Sequence, residues 1–373
     1  MRIALIYEKF VRGGGLEHYT QNLAKAFRDH GHELHLVTSK VDDAFRDLTP
    51  NWVVLPRNKL SSLLRLWSFD RMAAKAVRDL PVDLSIGFGR TTTHDLHRAG
   101  GGCHRLYSRL LPFWKRYSPK NLLELHLERK LYTGGGTKRF VVNSAQVARQ
   151  LHVHYRVPME AMTVIHTAVD TERFQPASDR AALRLRLCEQ NGTNPEKPIL
   201  LFVSMGHRRK GLDALLQALT QHSEAQLWIA GPPLGRYTDQ IKRLGLGTRV
   251  HYMGLVEDLR TLYQAADWFV HPTLYDACAN TVLQSMASGL PGLISTADGA
   301  IDHIRDGENG FLIEPGDAVK LAEKLRICLA LPESRRREIG ARARETVLPL
   351  TWERHVRQWE DLMKVFESSG FEG

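Results

Sequence analysis

Three consecutive glycines, residues 13–15, separate a strand-like run at 2–7 from a helical pattern that follows it. Because glycine has no Cβ atom, backbone N–H groups at such a turn can approach an anion at the N-terminus of the helix. We predict that Gly14 and Gly15 form a cradle for a phosphate or a sugar. A tight structural turn is the alternative, because the glycines do not make the full dinucleotide-binding fingerprint.

Two adjacent cations, Arg209 and Lys210, follow another strand-like run at 199–204 and precede a helix predicted to begin near Gly211. Fixed cations beside a helix N-terminus suit a diphosphate whose negative charge grows as a bond to it breaks. The pattern alone does not decide between such a leaving-group site and a solvated basic loop.

A third segment, 275–295, combines Asp276 with small residues and a helical pattern over 280–289. A loop that turns into a helix in this way presents one carboxylate and several free N–H groups, which suit a ligand rich in hydroxyls and negative charge. The chain contains no Asp-x-Asp pair to hold a divalent cation. We therefore expect neither a metal nor another cofactor.

Short β-branched or aliphatic runs alternate with helical patterns along the chain, which indicates parallel sheets. The first series lies at 2–7, 33–38, 52–55, 84–87, 140–143 and 163–166, and the second at 199–204, 225–231, 249–254, 267–272 and 292–295. Because the series restarts, we predict an α/β chain of two domains, 1–168 and 169–350. The length of 373 residues also exceeds what a single core usually supports.

The end of the chain carries an apolar stripe at helical spacing, and Thr351 is its predicted N-cap. The stripe comprises Trp352, Val356, Trp359, Met363 and Phe366. We predict an amphipathic terminal helix that packs against a domain.

The net charge of +10 indicates an anionic partner, which could be nucleic acid, acidic lipid or a phosphorylated substrate. No helix-turn-helix, zinc or RNP pattern supports nucleic acid. The sequence shows no signal-peptide pattern and no apolar run long enough for a membrane span, so we expect a cytoplasmic protein. The cysteines, Cys103, Cys188, Cys278 and Cys328, have no ligand spacing and are predicted to be free thiols.

The segment 275–295 resembles the signature of the family 4 glycosyltransferases of the GT-B fold, and the resemblance covers nearly the whole chain. The other matching elements are the glycine loop, HTAVDTERF at 166–174, RKG at 209–211, AADWFVHPT at 265–273 and ENGFL at 308–312. The resemblance implies two Rossmann-like domains facing each other across a donor cleft. It also implies that the terminal helix, 351–373, crosses back onto the first domain.

Carried over by position, the resemblance implies roles for individual residues in using a nucleotide-sugar donor. Gly14 and Gly15 would approach the donor phosphates. Arg209 and Lys210 would neutralise the departing diphosphate, and Asp276 would hold sugar hydroxyls, so these three residues are predicted to be catalytic. Further donor contacts are expected from Arg173, Ala277, Cys278, Ala279, Asn280, Thr281 and Gln284.

Two positions depart from the family pattern. The first family glutamate is shortened to Asp276, and the second, which usually binds the ribose hydroxyls, is Gln284. A glutamine can accept one hydrogen bond through its carbonyl oxygen, but it lacks the charge-assisted strength of a carboxylate.

The acceptor side is similar to that of glucosyltransferases of the lipopolysaccharide core. Such relatives read DVYRAGDGCH where this chain has DLHRAGGGCH at 95–104, so Gly101 stands where an acidic residue is expected. The local candidates for an acceptor-side group are Asp95, His97 and His104, and we include Asp95 and His104 among the predicted catalytic residues.

The segment 104–130 carries seven Lys or Arg residues against two Glu, interleaved with aromatic residues. Basic and aromatic residues together suit an anionic bilayer, where charge attracts the protein and rings insert among headgroups. A polar-faced helix with a packed apolar side is the alternative. We favour peripheral attachment to the inner face of the cytoplasmic membrane, because the similar core enzymes act on a lipid-linked acceptor.

The resemblance thus implies a retaining, metal-independent transfer of a hexose, glucose in the similar enzymes, from a UDP-sugar to a lipid-linked saccharide such as the lipopolysaccharide core. Catalysis would rest on stabilising the leaving group rather than on a strong base. Two alternatives remain: a nucleotide-sugar epimerase, and a non-catalytic homologue that binds nucleotide sugars or polyanions.

Overall fold

The computed structural model describes residues 1–11, 14–58 and 60–368 and divides the chain into two domains. The first comprises Met1–Thr167 and the C-terminal segment from Trp352, and the second comprises Ala168–Thr351. Each domain contains one large parallel sheet with helices packed on it, which confirms the prediction of two Rossmann-like domains.

Among the described residues of the first domain, nine strands, six α-helices and two short 3-10 helices, Asp43–Leu48 and Met159–Ala161, precede the second domain. The strands are β1 (Arg2–Ile6), β2 (Lys9–Phe10), β3 (Glu33–Thr38), β4 (Lys40–Val41), β5 (Asn51–Val54), β6 (Leu84–Phe88), β7 (His94–Arg98), β8 (Thr137–Val142) and β9 (Met162–Val164). The helices are α1 (Gly15–Asp29), α2 (Ser62–Asp79), α3 (His104–Ser108), α4 (Phe113–Arg116), α5 (Pro119–Thr133) and α6 (Ala145–Tyr155). Seven strands form the sheet in the order β5-β3-β1-β6-β7-β8-β9, and β2 pairs with β4 beside it.

The second domain consists of six strands, seven α-helices and one short 3-10 helix, Gly299–His303. The strands are β10 (Ile199–Val203), β11 (Gln226–Ala230), β12 (Val250–Gly254), β13 (Trp268–His271), β14 (Gly292–Ser295) and β15 (Phe311–Ile313). The helices are α7 (Arg180–Asn191), α8 (Leu212–Leu219), α9 (Tyr237–Arg243), α10 (Arg260–Ala265), α11 (Asn280–Ala287), α12 (Ala318–Leu329) and α13 (Glu333–Val347). The sheet order is β12-β11-β10-β13-β14-β15.

Strand β10 shows why these runs form buried parallel strands. All five of its residues are buried, and alternate side chains enter different cores: Ile199 and Leu201 pack on one face, and Leu200 and Phe202 on the other. A strand covered by helices on both faces must be apolar throughout, so its sequence reads as a continuous apolar run.

The C-terminal helix, α14 (Trp352–Ser368), packs on the first domain. Val356, Trp359 and Met363 are buried in the same core as Tyr19 and Phe27 of α1. The stripe at helical spacing therefore joins two segments that are far apart in the sequence.

Two strands of the large sheets were missing from the sequence prediction, as were the two-residue strands β2 and β4. Strand β7 contains His94, Asp95, His97 and Arg98, so it lacks the apolar run by which the other strands were recognised. Strand β15 has only three residues. The remaining large-sheet strands lie within a few residues of the predicted positions, and the predicted free thiols are confirmed, since all four cysteines are buried and unbridged.

No helix among the described residues has the length and apolar character that a membrane span requires.

Candidate active site

The second sheet reverses its strand order between β10 and β13. From β10 the chain proceeds through β11 to β12, whereas from β13 it proceeds the other way, through β14 to β15. Open α/β sheets bind ligands outside the carboxyl ends of the strands at such a point. Arg209 and Lys210 follow β10 there, and Asp276 follows β13.

Arg209 and Lys210 donate to the same oxygen of Asp276. Asp276 Oδ2 lies 2.5 Å from Arg209 Nη1 and 2.6 Å from Lys210 Nζ. Burial alone would raise the pKa of Asp276, but Lys210 and Arg209 hold it well below its usual range. The carboxylate is therefore ionised at neutral pH. Its other oxygen, Oδ1, has no hydrogen-bond partner in the part of the chain that the structure describes.

Glycine at position 211 allows this basic loop to pass close to the next strand. Gly211 has φ +82°, and a Cβ atom there would lie 1.9 Å from the carbonyl oxygen of Pro272. Any other residue would strain the backbone and push the loop away. Gly211 therefore keeps Lys210 beside the end of β13.

Lys210 also contacts a buried pair formed by His271 and Asp298. Its Nζ lies 3.2 Å from His271 Nε2, which in turn lies 3.0 Å from Asp298 Oδ2. Burial, followed by the charge of Lys210, lowers the pKa of His271. By residue type, His271, Asp276 and Asp298 could hold a metal ion, and their ligand atoms lie within 4.8 Å of one another. The ammonium group of Lys210, however, already bonds to two of the three and supplies a positive charge at the cluster.

Asp298 is a site residue that the sequence reasoning missed. Its Oδ1 accepts the backbone N–H groups of Ala279 at 3.1 Å and Ala300 at 2.8 Å, so it fixes the turn from which α11 starts. The available signal was an aspartate placed shortly after the predicted strand at 292–295, at the same edge of the sheet as Asp276.

The N-terminus of α11 suits an anionic ligand. Ala279 is its N-cap residue, no side chain caps the helix, and its first turn contains no acidic residue. The buried hydroxyl oxygen of Thr281 has no hydrogen-bond partner among the described residues. Uncapped N–H groups and the positive end of the helix dipole favour phosphate at such a position.

Gln284 lies one turn further along α11 and is half-buried. Its Oε1 lies 3.3 Å from the hydroxyl of Tyr263, which is fully buried and donates to it. The glutamine side chain is thus oriented by a neighbour from α10 rather than free to rotate.

Arg173 does not join the Asp276 cluster through any contact among the described residues. Its guanidinium lies 3.8 Å from Asp258 and 5.5 Å from the ring of Phe174. Its predicted contact with the donor stays a prediction.

In the first domain, Gly14 caps α1 and Gly15 is its first residue, while Gly13 lies outside the described residues. A Cβ atom on Gly14 would lie 3.3 Å from Glu17 Oε2, and Glu17 Oε1 accepts the hydroxyl of Tyr7 at 2.9 Å. A carboxylate this close opposes a phosphate and can accept sugar hydroxyls. The predicted contact of Gly14 and Gly15 with the donor stays a prediction.

The two predicted acceptor-side catalytic residues, Asp95 and His104, have partners within the first domain. Asp95 accepts the backbone N–H of Ser85 at 2.9 Å and its hydroxyl at 2.6 Å, and it lies 3.1 Å from Lys138. His104 is buried, and its Nε2 lies 2.8 Å from Asn121 Oδ1 and 3.0 Å from Glu124. These contacts hold β7 and α3 in place, and the predicted catalytic roles of Asp95 and His104 stay predictions.

Of the local candidates, His97 lines a cavity in the first domain, with a volume of about 260 Å³. It lies at the carboxyl ends of β1, β6 and β7, where the first sheet reverses its strand order between β1 and β6. Burial, together with His94 and two arginines, holds the pKa of His97 well below its usual range. The imidazole is neutral at physiological pH. Gly101 also lines this cavity.

Two family models match the chain, one for each half. The model "Glycosyltransferase Family 4" matches residues 13–173, and the model "Glycosyl transferases group 1" matches residues 185–346. The chain belongs to the family 4 glycosyltransferases of the GT-B fold.

Curated relatives match over different lengths. The lipopolysaccharide glucosyltransferase WaaG of Escherichia coli K12 is 22% identical over 98% of this chain and 96% of that protein. The sulfoquinovosyl transferase SQD2 of Arabidopsis thaliana is 30% identical over 57% of this chain. The chain spans 41% of the length of SQD2 and 50% to 53% of the length of three other curated glycosyltransferases that it matches.

Solved structures agree on the fold. The crystal structure of WaaG has a TM-score of 0.78 at 21% identity and covers 92% of this chain and 95% of that one. Anabaena HepE in complex with UDP-glucose has a TM-score of 0.76 at 19% identity and covers 98% and 100%. At sequence identities this low, these two comparisons show a shared fold alone.

Proposed function

We propose that this glycosyltransferase moves glucose from UDP-glucose to a saccharide of the lipopolysaccharide core or a similar glycolipid, with retention of the anomeric configuration. The observation that carries the proposal is the cluster of Arg209, Lys210 and Asp276 beside the uncapped N-terminus of α11. The names of WaaG, a lipopolysaccharide glucosyltransferase, and of the HepE complex with UDP-glucose support the choice of acceptor and donor.

In the proposed reaction, an acceptor hydroxyl attacks the anomeric carbon on the face from which the diphosphate departs. The electron pair of the broken bond goes to the β-phosphate oxygen, whose added charge is stabilised by Arg209, Lys210 and the N–H groups of α11. The hydroxyl proton passes to the departing diphosphate. Oδ1 of Asp276 is placed to accept hydroxyls of the transferred sugar, because the two cations use only Oδ2.

The proposal includes a metal-independent mechanism. A divalent cation would stabilise the same leaving group, but Lys210 already lies among the three side chains that could ligate one. Displacing that ammonium would also remove the bond from Lys210 Nζ to Asp276 Oδ2. Arg209 and Lys210 therefore take the role that a metal plays in other transferases.

Product analysis separates this proposal from the two alternatives. The full chain is incubated with UDP-glucose and a core saccharide, and both free UDP and the sugar products are measured. Glycosyl transfer gives one UDP for each glucosylated acceptor. An epimerase would convert the nucleotide sugar without releasing UDP, and a non-catalytic homologue would bind UDP-glucose and leave it intact.

The exposed surface of 104–130 supports membrane attachment as a further part of the proposal. Phe113 is 75% exposed and Trp114 is 73% exposed, on the short helix α4. The acidic Glu128 is buried, where it accepts the backbone N–H groups of His104 and Arg105. The surface is therefore more positive than the sequence count suggests, with two aromatic rings available for insertion among lipid headgroups.

A further inference from the structure

Arg98 is a buried cation that pairs with no carboxylate in the part of the chain that the structure describes. It ends β7 and is 4% exposed, its Nη2 donates to Thr167 Oγ1 at 3.3 Å, and its guanidinium lies 3.4 Å from the centre of the Tyr19 ring. Its Nε has no hydrogen-bond partner, and no carboxylate of the described residues forms an ion pair with it. A buried charge in this state is costly unless something compensates it.

The loop after β7 is shaped around this guanidinium. A Cβ atom on Gly100 would lie 1.8 Å from Arg98 Nη1, so only glycine lets the side chain occupy this position. At Gly101, by contrast, an added Cβ atom would meet nothing within 4 Å. Gly100 therefore makes room for the guanidinium of Arg98, and Gly101 leaves open space where another residue would place a side chain.

Arg98 lines the 260 Å³ cavity of the first domain together with a second cation, Arg90. Arg90 also has no ion pair with any described carboxylate. The acidic residue in the wall, Glu8, lies 3.3 Å from Arg65 of α2, and His97 is neutral. The cavity thus carries two positive charges that no carboxylate of the described residues pairs with, at the point where the first sheet reverses its strand order.

We propose that this cavity binds an anionic group, a carboxylate or a phosphate, on the acceptor sugar. The inference deepens the proposed function, on which it rests. Guanidinium groups match the geometry of both anions, and an anion removed from water gains most from a cation that is already buried. Gly101 provides no carboxylate here, so the acceptor brings its own negative charge.

The test measures binding of small sugars to the full chain by titration calorimetry. The probes are mannose 6-phosphate, glucuronic acid, mannose, glucose and inorganic phosphate. We expect at least one charged sugar to bind tenfold more tightly than its neutral counterpart, and more tightly than inorganic phosphate. The preferred probe shows whether a phosphate or a uronic acid is recognised. Equal binding of neutral and charged sugars overturns the proposal, as does no detectable binding of either charged sugar or equally tight binding of inorganic phosphate.

Position 101 offers a matched pair of variants. Gly101→Asp places a carboxylate in the cavity at an open, unstrained position, and Gly101→Asn places a neutral group of the same size there. We expect Gly101→Asp to lose the tenfold preference for the charged sugar and Gly101→Asn to retain most of it. Identical behaviour of the two variants contradicts a charge-based site. Arg90→Gln, at a half-buried position, should lower the preference without the folding risk of replacing Arg98.

Binding of UDP-glucose is measured in parallel for every variant, because the donor cluster belongs to the second domain. If UDP-glucose binds and is turned over but charged sugars bind no more tightly than neutral ones, this inference fails and the proposed function stands. If UDP-glucose does not bind the parent chain, the proposed function itself fails.

Discussion

Lys210 connects the parts of the candidate active site, because its ammonium contacts both Asp276 and His271. It is only 6% exposed, so its charge acts in surroundings where water screens it little. A buried cation fixed beside a leaving group stabilises the transition state more than the ground state, since charge develops on the diphosphate as the bond breaks.

We predict that Lys210→Ala and Arg209→Ala each lower kcat by about 100-fold, in the range seen when one preorganised donor is removed from a site of developing charge. The KM for UDP-glucose should change much less. Steady-state kinetics at saturating acceptor measure both, and Lys242→Ala, at an exposed basic position on α9, is the control. A rise in KM with kcat unchanged would show that the two cations bind the donor without stabilising its departure.

At position 284, we predict that Gln284→Glu strengthens UDP binding or leaves it unchanged. A carboxylate would accept the hydroxyl of Tyr263 and the ribose hydroxyls in charge-assisted bonds, although the nearby diphosphate opposes part of the gain. Titration calorimetry with UDP checks this, and Gln284→Ala shows what loss of the side chain costs. A large fall in affinity for Gln284→Glu alone would mean that the amide makes a donor contact that a carboxylate cannot replace.

Among the elements, the start of α8 is constrained by the backbone of Gly211. We predict that Gly211→Ala lowers the melting temperature by several degrees, because left-handed strain of about 1–3 kcal/mol adds to the contact with Pro272. The matched control is Gly235→Ala, which has φ +54° but nothing within 4 Å of the added Cβ atom. If thermal melts show the same fall in melting temperature for both variants, the contact with Pro272 adds nothing to the cost of replacing Gly211.

The elements also show what sequence patterns can predict. Buried parallel strands such as β10 are apolar throughout and were found, as were α11 and the helix after Gly211, because their periodicity follows from burial. Strand β7 was missed because its buried residues include His97 and Arg98, which line a cavity rather than an apolar core. The pairing of Asp298 with His271 was also unpredictable, since it depends on two strand ends meeting at one edge of the sheet.

On the scale of the whole molecule, the net charge is +10, and the segment 104–130 carries seven Lys or Arg residues against two Glu. We predict that the full chain binds anionic vesicles more than zwitterionic ones and that salt weakens this binding, because each surface Lys or Arg contributes about 1 kcal/mol. Sedimentation compares the parent with a variant in which Arg105, Arg109, Lys115 and Arg116 are changed to Ser. The control variant changes four exposed cations of the second domain, Lys242, Arg243, Lys320 and Arg326.

The membrane variant should lose binding to anionic vesicles and keep its activity on a short soluble acceptor. The control variant should bind as the parent does. If both variants lose vesicle binding equally, net charge alone causes the attraction. If neither variant loses it, the membrane contact lies elsewhere or does not exist.

In the proposed transfer from UDP-glucose, Arg209 and Lys210 stabilise the leaving group in place of a metal ion. The most direct test is the rate of acceptor-dependent UDP release by the full chain in excess EDTA. We predict the same rate with and without the chelator, and a glucosylated product with the anomeric configuration of the donor. A rate abolished by EDTA and restored by Mg²⁺ or Mn²⁺ would contradict the claim.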